Sequence, residues 1–445
     1  MIVDHRNVGA AFRRLSLPTA VSMLGDQLLG IVDTIAIGTL GSVALAGVTA
    51  ATTVFAAVTF AAIGFMNGLG IIASQRVGAG DIDGFARSIR AGFLVPFATA
   101  IAAMILSALF GPAMIGAMIG HLASSHASGL YLIVRCCSLL PIAISGTIIT
   151  GLGAAGNRKI AVVILAIINL VHIPLLAILA LGWFTHHPLG IVGAGISSLL
   201  SELIASIYAI AYVARRPIYR IFAQKSIDVR LALECARLGL PEAVFLFAVV
   251  APDAVIVAML APFGAIAISG FRALNVVSDL TFVVPSPLQA AVQTVIGQRL
   301  GAGDVEGAQW FFARAQRIAV WITTATAVVC AALAWPLAYL FTLNAQVASV
   351  AALPLALHMA TLPIKGWSMV SMAPIRASGD TRFSMTVGIV TAILVLAAAY
   401  VCIRILHIGL YTVPIAWIFA WLARAILTAV KLRGGSWTRR PLIAV

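Results

Sequence analysis

Apolar segments long enough to cross a bilayer recur along the whole chain. They lie near residues 15–37, 43–73, 91–119, 129–154, 160–183, 189–213, 238–261, 266–297, 314–341, 347–377, 382–407 and 409–430. A spanning helix needs about 20 apolar residues. Lipid offers no partner to a free amide, so each run must satisfy its own backbone, and a helix does this within one segment. Hydrophobic residues make up 62% of the chain and charged residues only 9%, against about 25% charged in an average soluble domain. The expected fold class is therefore all-α and polytopic, with twelve transmembrane helices and no sizeable soluble domain.

The basic residues alternate along the connections. Arg76, Arg87 and Arg90, then Arg158 and Lys159, then the stretch from Arg215 to Arg237, then Arg299, Arg314 and Arg317, and then Arg376 and Arg382 fall on one side. The opposite connections, around 38–42, 120–128, 184–188, 262–265 and 342–346, contain no Lys or Arg. By the positive-inside rule both termini are expected in the cytoplasm, which requires an even number of spans. The same rule accounts for the net charge of +14 without nucleic acid, which is not an expected partner. The five cysteines show no metal-ligand spacing, and they are expected to be small apolar fillers. No cleavage site follows the first apolar run, so that run is expected to remain as a helix.

Shifting the sequence by 223 residues superimposes its halves over about 145 residues without a gap. Arg14-Leu15-Ser16-Leu17-Pro18 falls on Arg237-Leu238-Gly239-Leu240-Pro241. Gly41 and Gly47 fall on Gly264 and Gly270, Gln75-Arg76-Val77-Gly78-Ala79-Gly80-Asp81 on Gln298-Arg299-Leu300-Gly301-Ala302-Gly303-Asp304, and Gly156-Asn157 on Gly379-Asp380. The chain thus reads as a duplicated six-helix bundle: an N-terminal lobe 1–213, a cytoplasmic linker 214–237 and a C-terminal lobe 238–445. Six spans per half make the repeats parallel, an arrangement that builds alternating-access transporters. The Gly-Ala-Gly-Asp segments lack the Lys-Ser/Thr of a phosphate loop and are expected to be tight turns.

Charges inside the spans are the candidates for chemistry, because a charge at bilayer depth costs about 2.5–3.5 kcal/mol and persists mainly beside a cavity, partner or pathway. Asp33 in the first span is foremost. Removal from water disfavours an ionised carboxyl, so Asp33 is expected to carry a proton; the alternative is a structural acid fixed by an Arg or Lys. Asp26 lies seven residues earlier on nearly the same face, about 10 Å away along the axis, and reads either as a relay or as a packing acid. Glu202, late in the sixth span, either pairs within the bundle or leads toward the cytoplasm. In the C-terminal lobe, Arg272, Asn275 and Asp279 form one helical stripe, with Asp253 and Lys365 in neighbouring spans. They read as substrate contacts or as internal salt bridges, Asp253–Arg272 or Asp279–Lys365. Arg135, which aligns with His358 through the repeat, is a candidate to neutralise an N-lobe acid.

Several motifs together resemble one family. These are the first-span Leu-Pro followed by Gly30-Ile31-Val32-Asp33-Thr34 and Ile37-Gly38, the twice-used Gly-Ala-Gly-Asp turn, and Leu189-Gly190-Ile191-Val192-Gly193-Ala194-Gly195. Over essentially its whole length the chain resembles the multidrug and toxic compound extrusion (MATE) family, and in Leu28–Thr34 and Ser198–Glu202 its DinF-like branch. The resemblance implies efflux of organic, often cationic, compounds in exchange for protons or sodium ions. It gives Asp33 the role of coupling aspartate, places Asn169 beside it and assigns Ser198 to a sixth-span hydroxyl. Ile173 stands where members commonly have a second aspartate, which favours protons over Na⁺. His172, next to that gap, is of a residue type that exchanges protons near neutral pH. The NorM-like branch has a glutamate where Val249 stands, with Asp253 one turn further on. The expected function is proton-driven antiport of organic cations through a bacterial inner membrane by a monomer that has no catalytic or metal site and no cofactor. A Na⁺-coupled antiporter and a lipid-linked glycan flippase are the alternatives.

Overall fold

The computed structural model describes residues 8–119, 125–183, 188–219, 221, 228–263 and 265–438. Among these residues the chain is helical, with no strand. Twelve spans follow in order: α1 Val8–Thr39, α2 Ser42–Gly78, α3 Ile82–Met118, α4 His126–Ala154, α5 Lys159–Leu179 and α6 Gly190–Ala214, then α7 Val229–Leu260, α8 Ser269–Gly301, α9 Val305–Ala332, α10 Ala345–Met359 with Leu362–Ala377, α11 Thr381–Ile405 and α12 Gly409–Arg433. Ten are individually long and apolar enough to cross a membrane, and α10 qualifies as two helices bent by 41°. The 32-residue α7 completes the expected twelve. Gly264 and positions 220 and 222–227 of the expected linker lie outside the described residues.

The repeated turns are built alike. Each half's Arg-x-Gly-Ala-Gly-Asp segment ends one helix with a glycine at φ 73°, at Gly80 and Gly303. The next amide bonds back to the helix, from Asp81 to Arg76 and from Asp304 to Arg299, both at 2.9 Å, the pattern of a left-handed glycine cap. The aspartate then caps the following helix, accepting from Gly84 N at 2.7 Å and from Gly307 N at 2.8 Å. It also pairs with the preceding arginine at 2.8 Å in both copies. One acid thus closes two helix ends, which is the turn expected from the sequence. No atom stands within 4 Å of an added Cβ at either glycine, so only the left-handed backbone is at stake. Gly80→Val and Gly303→Val are each expected to lower stability by about 1–2 kcal/mol, read from melting of the purified protein. Unchanged melting would refute the cap.

The same symmetry sets the bends. α4 breaks at Ser138 and α10 at Thr361, and each hydroxyl bonds back to its own helix, at Arg135 O (2.6 Å) and His358 O (2.8 Å). The side chains of those two residues meet equivalent helices. The Arg135 guanidinium lies 4.2 Å from the Phe55 ring centroid, and His358 Nε2 lies 3.1 Å from Ser278 Oγ.

Contacts divide the chain into two compact units, Val21–Ala243 on one side and Ile2–Ala20 with Val244–Val445 on the other. Both changes of unit fall just after a repeat-related proline, Pro18 in α1 and Pro241 in α7. In the second unit Val8, Phe12 and Leu15 of α1 join Leu288, Val292 and Phe311 in a buried cluster. In the first unit Leu231 and Cys235 of α7 join Leu69 and Val77.

Candidate functional site

In the first unit, one contact joins two of the expected site residues. Asp33 Oδ1 lies 2.6 Å from His172 Nε2. The ring is only 1% exposed, while the carboxylate keeps 31% of its surface. Carboxylate and imidazole nitrogen approach this closely only with a proton between them. On the other side, His172 Nδ1 faces Ser197 Oγ at 3.4 Å, and that hydroxyl donates to Ala194 O at 2.8 Å. With its hydrogen committed to Ala194, Ser197 offers a lone pair to Nδ1–H. If Nδ1 loses its proton, the hydroxyl must turn round to donate. Asp33, His172 and Ser197 therefore form one hydrogen-bonded chain.

The repeat-related half has no such pair. At the 223-residue offset Asp33 corresponds to Ile256 and His172 to Val395, and both are 0% exposed in one apolar cluster of the second unit. Ile173 is 41% exposed, whereas the ring one residue earlier turns onto α1.

The remaining first-unit candidates are arranged differently. Asp26 and Glu202 lie within the electrostatic field of Arg135 and of each other. Tyr131, buried in α4, feels both Arg135 and Asp33, which brings Arg135 to the wall of the same region. Asn169 spends its amide on Leu165 O at 2.9 Å and lies against Gly25 of α1. Ser198 bonds to Ala194 O at 3.2 Å. Neither of these hydrogen bonds is to Asp33.

The second unit holds its own cluster. Lys365, just past the α10 bend, is 3% exposed, and its Nζ stands 3.3 Å from the Phe282 ring centroid and 5.7 Å from that of Trp421. Asp253, Asp279 and Arg424 all lie within its field. Asp253 faces Trp417, which stacks on Trp421 at 5.9 Å, while its Oδ1 is buried without a hydrogen-bond partner. Among the described residues no ion pair joins Asp253 to Arg272 or Asp279 to Lys365. Arg272 instead lines a separate cavity of about 280 Å³ with Ser269, Thr342 and Asn344, and Asn275 is not among the residues that line it. The tryptophans were not singled out from the sequence. Their spacing on α12, four residues apart, was the available signal.

Comparison with known proteins agrees with this architecture. The chain is 25% identical over 346 residues to the multidrug resistance protein MdtK of Edwardsiella ictaluri (strain 93-146), covering 76% of this chain and 75% of that one. It shares its fold with a solved multidrug resistance MATE family transporter of the MOP superfamily in an outward-facing conformation, with a TM-score of 0.88, 20% identity and 97% coverage of each chain. A MOP superfamily transporter from Pyrococcus furiosus Vc1 is similar, with a TM-score of 0.87, 21% identity and coverage of 97% and 96%. The MatE family pattern matches residues 18–178 and again 241–401, displaced at both ends by the 223 residues of the internal repeat. With both halves matched, the chain belongs to the MatE family of membrane transporters.

Proposed function

We propose that the chain exports organic cations in exchange for protons, and that the Asp33–His172 pair is the proton carrier. The observation that carries this reading is the 2.6 Å carboxylate–imidazole contact, in a place where the repeat-related half has Ile256 and Val395. The donor set also favours a proton over Na⁺. A hard cation seeks several oxygen ligands, and here a ring nitrogen occupies the position facing Asp33. In the outward-facing state a proton enters the pair, α1 and the helices against it rearrange, and the compound is released; on return the proton leaves to the cytoplasm.

The exchange we propose is one proton for one monovalent cation. An inward proton gains about 2.3 kcal/mol per 100 mV, and an outward monocation loses the same amount. The exchange is electroneutral and draws on the pH difference alone, about 1.36 kcal/mol per unit. In proteoliposomes loaded with a fluorescent organic cation, an imposed pH gradient is expected to drive transport, and a Na⁺ gradient alone is expected to give the protein-free rate. Transport driven by Na⁺ with the pH gradient collapsed would overturn the assignment of the ion.

A further inference from the structure

The Lys365 cluster shares no residue with the proton pair. Its ammonium lies on the Phe282 face at 3.3 Å, with Trp421 at 5.7 Å, a geometry in which aromatic quadrupoles attract a cation. Two carboxyls, Asp253 and Asp279, are within its field but form no ion pair with it. One buried oxygen, Asp253 Oδ1, has no partner at all. A frame of rings with an unsatisfied carboxylate oxygen is a receptor for an organic cation, and here the chain's own ammonium fills it.

The repeat again separates site from scaffold. At the 223-residue offset Lys365 corresponds to Ile142, Asp279 to Ala56, Asp253 to Gly30 and Phe282 to Thr59. None of these charges or rings is needed for a six-helix unit of this kind to fold. The charge balance is also informative. With both carboxyls ionised, Asp253 and Asp279 are offset by Lys365 and Arg424. Arg424 is held over the Phe245 and Trp421 rings at 5.0 and 5.1 Å. Lys365, by contrast, is a point charge on a flexible four-carbon stem just past the α10 bend. If it swings away, the site lacks one positive charge beside exposed ring faces.

We propose that Lys365 is a tethered stand-in for the transported cation: it occupies the site formed by Phe282, Trp421, Asp253 and Asp279 when no substrate is bound, and a hydrophobic organic monocation takes its place. The inference rests on the reading of the chain as an exporter of organic cations, but not on which ion drives it.

Competition by a tethered group weakens apparent affinity in proportion to its occupancy. If Lys365 fills the site nine-tenths of the time, its removal tightens binding about tenfold. Equilibrium binding of tetraphenylphosphonium to the purified full-length protein in detergent, with no gradient, tests this. Lys365→Met and Lys365→Gln are expected to bind about tenfold more tightly than the parent, Lys365→Arg no more tightly, and Asp253→Asn placed on Lys365→Met should remove the gain. Equal or weaker binding by a folded neutral variant, or tighter binding by Lys365→Arg, overturns the proposal. The unmutated protein supplies a second reading: tetraphenylphosphonium should increase labelling of Lys365 by a small amine reagent, and unchanged or reduced labelling counts against displacement. The shift should persist in an Asp33→Asn background, so failure of proton coupling and failure of this inference give different results.

Discussion

Asp33→Asn is expected to abolish proton-driven accumulation while leaving substrate binding within about threefold of the parent. In proteoliposomes with the membrane potential clamped, one pH unit sustains at most about a tenfold gradient of a monovalent cation by one-for-one exchange, since both terms equal 1.36 kcal/mol. An amide keeps the size of the carboxyl and can still accept from His172, but it cannot take up and surrender a proton. The variant should therefore relax any imposed substrate gradient to unity, at a rate unaffected by pH. Binding survives because the ring-and-carboxylate frame lies elsewhere, on α7, α8, α10 and α12. A variant that still builds a pH-dependent gradient would remove Asp33 from the coupling step. One that binds substrate far more weakly would place Asp33 in the substrate site.

The scaffold was legible because its signals are local or periodic. Apolar run lengths marked the spans, and the constant offset marked the duplication. The Gly-Ala-Gly-Asp segments marked turns whose glycine and aspartate roles follow from backbone geometry alone. The bends at Ser138 and Thr361 were less legible: a hydroxyl bonding back to its own helix is a weak signal, and only its recurrence at repeat-related positions makes it conspicuous once seen.

The site was legible in its charged members and not in their pairing. An aspartate in an apolar run announces itself by cost, so Asp33, Asp253 and Asp279 stood out. Which neighbour each meets depends on helix rotation, where one residue is about 100°. That step separates exposed Ile173 from buried His172. Asn169 sends its amide along its own helix, to Leu165 O. Lys365 was visible, but expectation gave it a carboxylate partner; the rings of Phe282 and Trp421, indistinguishable from core residues in an apolar sequence, hold it instead.

Writing the second unit's residues into the first separates chemistry from packing. The double variant Asp33→Ile/His172→Val installs the pair found at Ile256 and Val395, where both side chains are fully buried in one cluster. Replacing a fully buried ion pair by apolar groups that pack is often neutral, or stabilising by about 1–4 kcal/mol, and here the ring is buried while the carboxylate is partly exposed. The double variant should insert, purify and melt at or above the parent's temperature, yet show no pH-driven transport. The reverse change is expected to be severe. Ile256→Asp buries an unpaired carboxyl among apolar side chains, a loss of about 3–5 kcal/mol by analogy with a buried pair stripped of one partner. Adding Val395→His should recover part of it, at about 1.5–3 kcal/mol for a charge-assisted hydrogen bond. The coupling between the two sites is read as the non-additive part of a double-mutant cycle in melting experiments. If the apolar double variant misfolds while Ile256→Asp is tolerated, the Asp33–His172 contact is a structural tie and the proton carrier must be sought at Asp26, Glu202 or the second unit's acids.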